Sequence, residues 1–221
     1  MELDLKIVYE LAEINGNMTD IERLTTIYAF LSSQFDLGVE GDLVEVGYNA
    51  GYTSAFLQMV NLAHGAGTRQ LHVYDSFQGL PAPSPFDSYL SEGELEVSAD
   101  TLRKIFHDRG LPLPRIHEGW FDQTLPTRLP EKIAFAYLDG DFYESILVSL
   151  TEVVPRLAPG GVVIVDDYCD REAAPRSWDG LPGVRAACEE YFRDRAGRQA
   201  LVGVGDLSFL LYRKPVVKEG L

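Results

Sequence analysis

Cysteine is nearly missing from this sequence: Cys169 and Cys188 are the two in 221 residues. That excludes a disulfide framework and a cysteine-based zinc cluster, and it fits a reducing compartment, so a cytoplasmic protein is expected. Cys169 reads as a small core or loop residue. Positive charge is scarce too: 19 Lys and Arg stand against 34 Asp and Glu, a formal net charge of -15. Phosphate backbones are bound by clustered Lys and Arg, so no nucleic-acid partner is expected. An anionic membrane is disfavoured on the same ground. No apolar run approaches the roughly 20 residues of a membrane-spanning helix. The start, Met1-Glu-Leu-Asp, lacks the basic and apolar regions of a secretory signal. Repeats, low-complexity tracts and linkers are also lacking, so a single domain over 1–221 is expected, with 1–40 as a helical N-terminal cap.

What is present centres on Ile133 to Tyr168. Two apolar runs of strand length each end in carboxylates, Ile133–Leu138 at Asp139 and Val162–Val165 at Asp166 and Asp167. Between them Ile146, Leu147, Leu150, Val153, Val154 and Leu157 recur at helical spacing. Pro159-Gly160-Gly161 reads as the stop of that helix. A strand-helix-strand unit delivers both strand ends to one edge of a parallel sheet, where open α/β sheets bind ligands. Three carboxylates at that edge suit Mg²⁺ or a similar hard ion. The plainer reading, that acidic residues serve there as turn formers and caps, stays open. Asp141 in particular stands where a cap for a helix starting near Tyr143 would be.

Before this stretch lie a helical stripe Ile7, Val8, Leu11 and Ile14, then a second, Ile21, Leu24, Tyr28, Leu31 and Phe35, opened by a Thr19/Glu22 capping box. These helices either cover the sheet or form a lid. A strand, Asp42–Gly47, leads into a helix through Ala63. A second strand, Gln70–Tyr74, ends at Asp75 and is followed by a proline-rich loop with Pro81, Pro83 and Pro85. A helix from Ser98 to Asp108 and a short strand, Arg115 to Glu118, come next. Beyond Tyr168 a helix near Gly183–Asp194 precedes two strands joined at Gly205-Asp206, a hairpin signal. The expected fold class is α/β: a doubly wound, mostly parallel sheet with N-terminal helices and a C-terminal antiparallel hairpin. That arrangement is similar to the Rossmann-like class I methyltransferase fold.

The first strand-to-helix turn reads Glu45-Val-Gly47-Tyr48-Asn49-Ala-Gly51. In a dinucleotide fingerprint a second glycine lets the backbone approach a pyrophosphate. Asn49 occupies that place, so a phosphate-free ligand fits better. S-adenosylmethionine (SAM) has no phosphate, and its sulfonium suits an acidic pocket. Asp75, at the end of the second strand, is placed to take ribose hydroxyls.

Together five blocks resemble the macrocin O-methyltransferase family: Glu45-x-Gly47-x-x-x-Gly51, Asp75-Ser-Phe-Gln-Gly-Leu-Pro81, Gly119-Trp-Phe-x-x-Thr-Leu-Pro126, Asp139-Gly-Asp-x-Tyr-Glu-Ser145 and Gly161-x-x-Ile-Val-Asp-Asp-Tyr168. The resemblance covers Gly41 to Phe192. It implies a SAM- and Mg²⁺-dependent O-methyltransferase acting on a sugar hydroxyl of a small natural product. By position, Asp139, Asp166 and Asp167 would ligate the metal. Asp75 would hold the ribose of the cofactor, Gly119 and Trp120 would border the adenine, and Glu45, Gly47, Tyr48, Asn49, Gly51, Ser76 and Asp139 would complete the cofactor site. Tyr52 departs from the small residue usual after Gly51, and no histidine follows His117.

A hydroxyl becomes a nucleophile by losing its proton, and a bound cation promotes that loss. No lysine lies between Asp139 and Tyr168, so the catalytic base is expected to be Asp139, with Asp141 second. Two alternatives remain at this stage: a nucleotide-cofactor oxidoreductase, and a non-catalytic SAM- or sugar-binding protein. Self-association into a homo-oligomer is left open.

Overall fold

The computed structural model of the chain describes residues 5–14, 21–65, 69–195, 198–204 and 207–216. Two helices, α1 (Leu5–Ile14) and α2 (Ile21–Asp36), precede five strand-helix pairs. The pairs are β1 (Asp42–Val46) with α3 (Tyr52–Ala63), β2 (Leu71–Asp75) with α4 (Ala99–Asp108), β3 (Arg115–Glu118) with α5 (Phe121–Arg128), β4 (Ile133–Leu138) with α6 (Tyr143–Arg156), and β5 (Leu157–Val165) with α7 (Pro182–Phe192). Strands β6 (Arg198–Val204) and β7 (Leu207–Arg213) close the chain. All seven form one sheet in the order β3-β2-β1-β4-β5-β7-β6. β1 to β5 run parallel, and β7 is antiparallel to both of its neighbours. This is the expected sheet with its C-terminal hairpin. The Thr19 capping box and the Gly205-Asp206 turn lie outside the described residues.

Strand pleat decides which side chains meet, because alternate residues face opposite sides. Leu43, Phe135, Tyr137, Val162, Ile164 and Phe209 pack with α1 to α4 on one face. Val44, Val46, Ala136, Leu138, Val163, Val165 and Leu210 pack with α5 to α7 on the other. Both faces are thus covered, which explains why β4 and β5 read as continuous apolar runs rather than alternating ones. The same parity carries functional residues. Glu45 shares a side with Leu43, Asp139 with Tyr137, and Asp166 with Ile164, so these acids turn toward the face that α2 and α3 cover.

Three local expectations change. Pro159-Gly160-Gly161 is not a turn outside the sheet but the irregular start of β5. Leu157 already pairs with Ile133, and the register shifts before Phe135 meets Val162. Gly160 there has φ +83° and donates its N–H to the carbonyl of Lys214, so the sheet ladder absorbs the glycine pair. Helix α5 falls where no stripe is legible. It contains Pro126, and Thr124 and Leu125 are its buried residues. In α2, Ile27 lies in the core while Tyr28 is exposed.

Candidate active site

Each parallel strand is followed within three residues by left-handed backbone. Gly47 (φ +90°) and Asn49 (+39°) follow β1, Phe77 (+54°) follows β2, Gly119 (+135°) follows β3, Asp141 (+58°) follows β4, and Asp167 (+54°) follows β5. A side-chain-bearing residue in this region costs about 1–2 kcal/mol. Such strain collects where a site must be held in one shape. Here it collects along the C-terminal edge of the sheet, the edge at which α/β sheets bind ligands.

A cavity of about 430 Å³ opens at that edge, in the size range of small-molecule sites. Of the residues expected around a cofactor, Gly47, Tyr48, Asn49, Asp75, Ser76, Trp120 and Asp139 line it. Glu45, Gly51 and Gly119 stand behind that lining. Glu45 is buried and accepts a hydrogen bond from the Ser54 hydroxyl on α3. Gly51 (φ +81°) starts α3 beneath the Tyr48 ring. Gly119 donates its N–H to the Asp75 carbonyl at 2.9 Å. The sequence did not single out the apolar and polar walls formed by Leu80, Ala82, Leu95, Phe121, Gln123 and Val148. Pro81 and the Gly119-Trp120 block mark their neighbourhood.

Asp75 organises the turns after β1 and β2. Its Oδ2 accepts the Tyr48 N–H at 2.8 Å, and its Oδ1 accepts the Phe77 N–H at 2.6 Å. Burial pushes its carboxyl up, and the N–H groups of Tyr48, Phe77 and Asn49 oppose that. A carboxylate offers about four lone-pair positions, and with three N–H groups on it Asp75 can still accept a hydroxyl donor.

The second half of the site is a carboxylate cluster. One oxygen from each of Asp139, Asp166 and Asp167 lies within 4.8 Å of the other two. Oxygens facing each other across one coordination shell are about 4–5 Å apart, so this hard-oxygen donor set fits a divalent ion such as Mg²⁺. Asp166 is fixed on both sides. The Tyr137 hydroxyl donates to its Oδ2, and the Asp167 N–H donates to its Oδ1 at 3.0 Å. Burial pushes the Asp139 carboxyl well above its usual range, and Asp166, Asp141 and Asp167 push it further. Burial acts likewise on Asp141, with Asp167 and Asp166 next. Asp167 rises to about 7 for the same reasons, burial and then Asp166. Like charges held in a buried place demand a cation.

Part of that demand is met by Arg23, which sequence reasoning missed. It sits on α2, and its Nη2 lies 3.1 Å from Asp167 Oδ1 and 3.3 Å from Asp166 Oδ1. Burial works against its charge, but Asp166, Tyr137, Asp167 and Asp139 outweigh it, so Arg23 stays protonated. A lone Arg beside Glu22 on an amphipathic helix carries no sequence signal for partners more than 140 residues away.

Asp139 and Asp141 both line the cavity, whereas Asp166 and Asp167 lie behind it. Asp139 therefore belongs to both halves of the site. Asp141 does not cap α6. Its neighbour Phe142 is the N-cap without a side-chain bond, and Asp87, from the loop after β2, accepts the Tyr143 N–H at 3.0 Å. Both cysteines are buried free thiols, and Cys169 points its Sγ at the Ser177 carbonyl. Among the described residues no helix is long and apolar enough to cross a membrane.

The sequence profile of the macrocin-O-methyltransferase (TylF) family matches residues 10–194. The chain is 38% identical over 162 residues to the 8-demethyl-8-(2,3-dimethoxy-alpha-L-rhamnosyl)-tetracenomycin-C 4'-O-methyltransferase of Streptomyces olivaceus, covering 68% of this chain and 62% of that protein. It thus spans less than two thirds of that relative's length. It is 34% identical over 192 residues to the mycinamicin III 3''-O-methyltransferase of Micromonospora griseorubida, covering 81% and 71%. The solved structure of the O-methyltransferase NovP has a TM-score of 0.78 at 30% identity, covering 90% of this chain and 82% of NovP. The calicheamicin methyltransferase CalS11 has a TM-score of 0.68 at 18% identity, covering 93% and 91%, and shares the fold.

Proposed function

Because the chain belongs to the macrocin-O-methyltransferase family, we propose that it transfers the methyl group of SAM to a hydroxyl on the sugar of a small natural product, with a divalent cation such as Mg²⁺. The observation that carries this reading is the position of Asp139, which lines the cofactor-sized cavity and belongs to the carboxylate cluster. We read the chain as one methyltransferase domain with a helical N-terminal cap, working in the cytoplasm.

In this reading SAM lies in the cavity. Asp75 would accept a ribose hydroxyl, and Trp120 and Phe121 would flank the adenine. Asp139, Asp166 and Asp167 would hold the cation, which when bound lowers the pKa of an acceptor hydroxyl and fixes its oxygen. With SAM bound, the transfer would form a C–O bond to the acceptor as the C–S bond breaks, leaving S-adenosylhomocysteine, and the hydroxyl proton would pass to a carboxylate of this chain. A carboxylate that ligates a metal is a poor base. Of the cavity carboxylates outside the ligand trio, Asp75, Asp122, Asp141 and Glu144, it is Asp141 that stands against Asp166 and Asp167, so we assign it the proton.

Asn49, at the place of the second fingerprint glycine, speaks against a nucleotide-cofactor oxidoreductase. Calorimetric titration with SAM and with NAD tests the cofactor assignment. SAM should bind, and NAD should not. Binding of NAD alone would end the methyltransferase reading.

A further inference from the structure

We propose that Arg23 is the resident counter-ion of the carboxylate cluster, and that its guanidinium and a divalent cation take turns on Asp166 and Asp167. The proposal rests on the metal reading above. It starts from the lone pairs. Asp166 Oδ1 accepts the Asp167 N–H at 3.0 Å and faces Arg23 Nη2 at 3.3 Å, while Oδ2 takes the Tyr137 hydroxyl. A carboxylate oxygen has two in-plane acceptor positions, so both on Oδ1 are committed. Asp167 Oδ1 in turn accepts Arg23 Nη2 at 3.1 Å. An ion that used the two Oδ1 atoms would take the place of the Arg23 N–H, and one that used the Oδ2 atoms would still share both carboxylates with the guanidinium. Either would also stand within a few ångströms of the guanidinium, where like charges are weakly screened.

Arg23 has no room to step aside on its own. Its side chain is 7% exposed, and its guanidinium lies 5.9 Å from the Phe209 ring centroid. Ile27 and Leu31 anchor the next turns of the same helix in the core, while Leu24, also buried, shares the first turn with Arg23. Release of the guanidinium therefore moves the first turn of α2. Metal occupancy and the position of this turn become one equilibrium: with Arg23 in, the turn is clamped to the sheet edge, and with the ion in, it is freed beside the acceptor side of the site. Linkage then requires that Arg23 weaken the apparent affinity for the ion.

The test is calorimetric titration of the whole chain with Mg²⁺, as the unaltered protein and as Arg23→Met, alongside hydrogen exchange of residues 25–28, whose N–H groups bond the carbonyls of the first turn. Arg23→Met should bind Mg²⁺ about tenfold tighter or more, a coupling typical of linked sites. Mg²⁺ should speed exchange across 25–28 in the unaltered protein. A merely structural arginine predicts the opposite sign, a weaker site after its loss. Equal or weaker Mg²⁺ binding by a folded Arg23→Met removes the proposal and leaves the metal reading standing. If that variant does not fold, the unaltered protein decides: unchanged or slower exchange at saturating Mg²⁺ overturns the proposal. Absence of Mg²⁺ binding to either protein overturns the metal reading and this proposal together.

Discussion

A Cβ on Gly47 would fall inside the carbonyl oxygen of Asp139. The end of β1, which shapes the cofactor turn, therefore packs backbone to backbone on the end of β4, which begins the carboxylate cluster. Around this contact the Gly47 N–H bonds the Tyr74 carbonyl, and the Asp139 N–H bonds the Val46 carbonyl. Three strand ends are locked together at one point, and the proposed transfer would need its two reactants held within a fraction of an ångström of a fixed geometry.

Gly47→Ala should break this registration. The positive φ alone costs about 1–2 kcal/mol, and the clash adds displacement of Asp139. The melting temperature should fall, and SAM affinity measured by calorimetry on the folded variant should drop more than about tenfold, equivalent to roughly 1.4 kcal/mol. Unaltered SAM affinity in a folded Gly47→Ala would detach the cofactor turn from the cluster.

Glu45 makes a pH prediction. Burial raises its carboxyl from 4.5 to about 8, against the hydrogen bond from Ser54. The folded pKa exceeds the unfolded one, so the folded chain holds more protons between these values. The stability tied to this group is complete below pH 4.5 and is lost as pH rises through 8. Glu45→Gln keeps an acceptor for Ser54 and cannot ionise. Melting curves of the two proteins should therefore diverge from pH 5 to 8.5, the variant gaining on the order of several degrees at the alkaline end. Parallel curves would show that Glu45 is ionised in the fold.

Much of this was legible in the sequence where one physical signal dominated. Apolar runs ending in Asp75, Asp139 and Asp166-Asp167 marked strands β2, β4 and β5 and placed their acids at one edge, because parallel strands buried on both faces leave little room for anything but apolar residues. Gly47 and Asn49 told against a pyrophosphate. What stayed hidden was tertiary. Arg23 looks like a solvated charge on a helix, and its role appears only when α2 is laid over β4 and β5. Asp87 sits in a proline-rich loop, yet it caps a helix that starts at Tyr143. Helix α5 was masked by Pro126 and by its few buried residues. Pro159-Gly160-Gly161 reads as a turn but is the irregular opening of β5, since the neighbouring strands supply partners that local propensity cannot foresee.

Asp87 supports a prediction about the loop from Ser76 to Ser98. Its Oδ2 accepts the Ser84 N–H at 2.9 Å and the Ser84 hydroxyl at 2.6 Å, while its Oδ1 takes Tyr143 N–H. One carboxylate thus ties the loop to the start of α6. Loss of a helix cap costs about 1 kcal/mol. Asp87→Ala should speed proteolysis within the loop and raise the acceptor KM more than it lowers kcat. Cleavage at the rate of the unaltered chain would mean that the loop is held by other contacts, such as the Phe86–Tyr143 and Tyr89–Trp178 ring pairs.

The most direct test follows a labelled methyl group from SAM to a panel of glycosides, first in excess EDTA and then with Mg²⁺ restored. The account predicts product with Mg²⁺, none in EDTA, and SAM binding that persists in both, because the cavity at β1 and β2 does not need the ion. Undiminished methyl transfer in EDTA would contradict it, leaving Asp139, Asp166 and Asp167 with Arg23 as a structural ion-pair network rather than a metal centre.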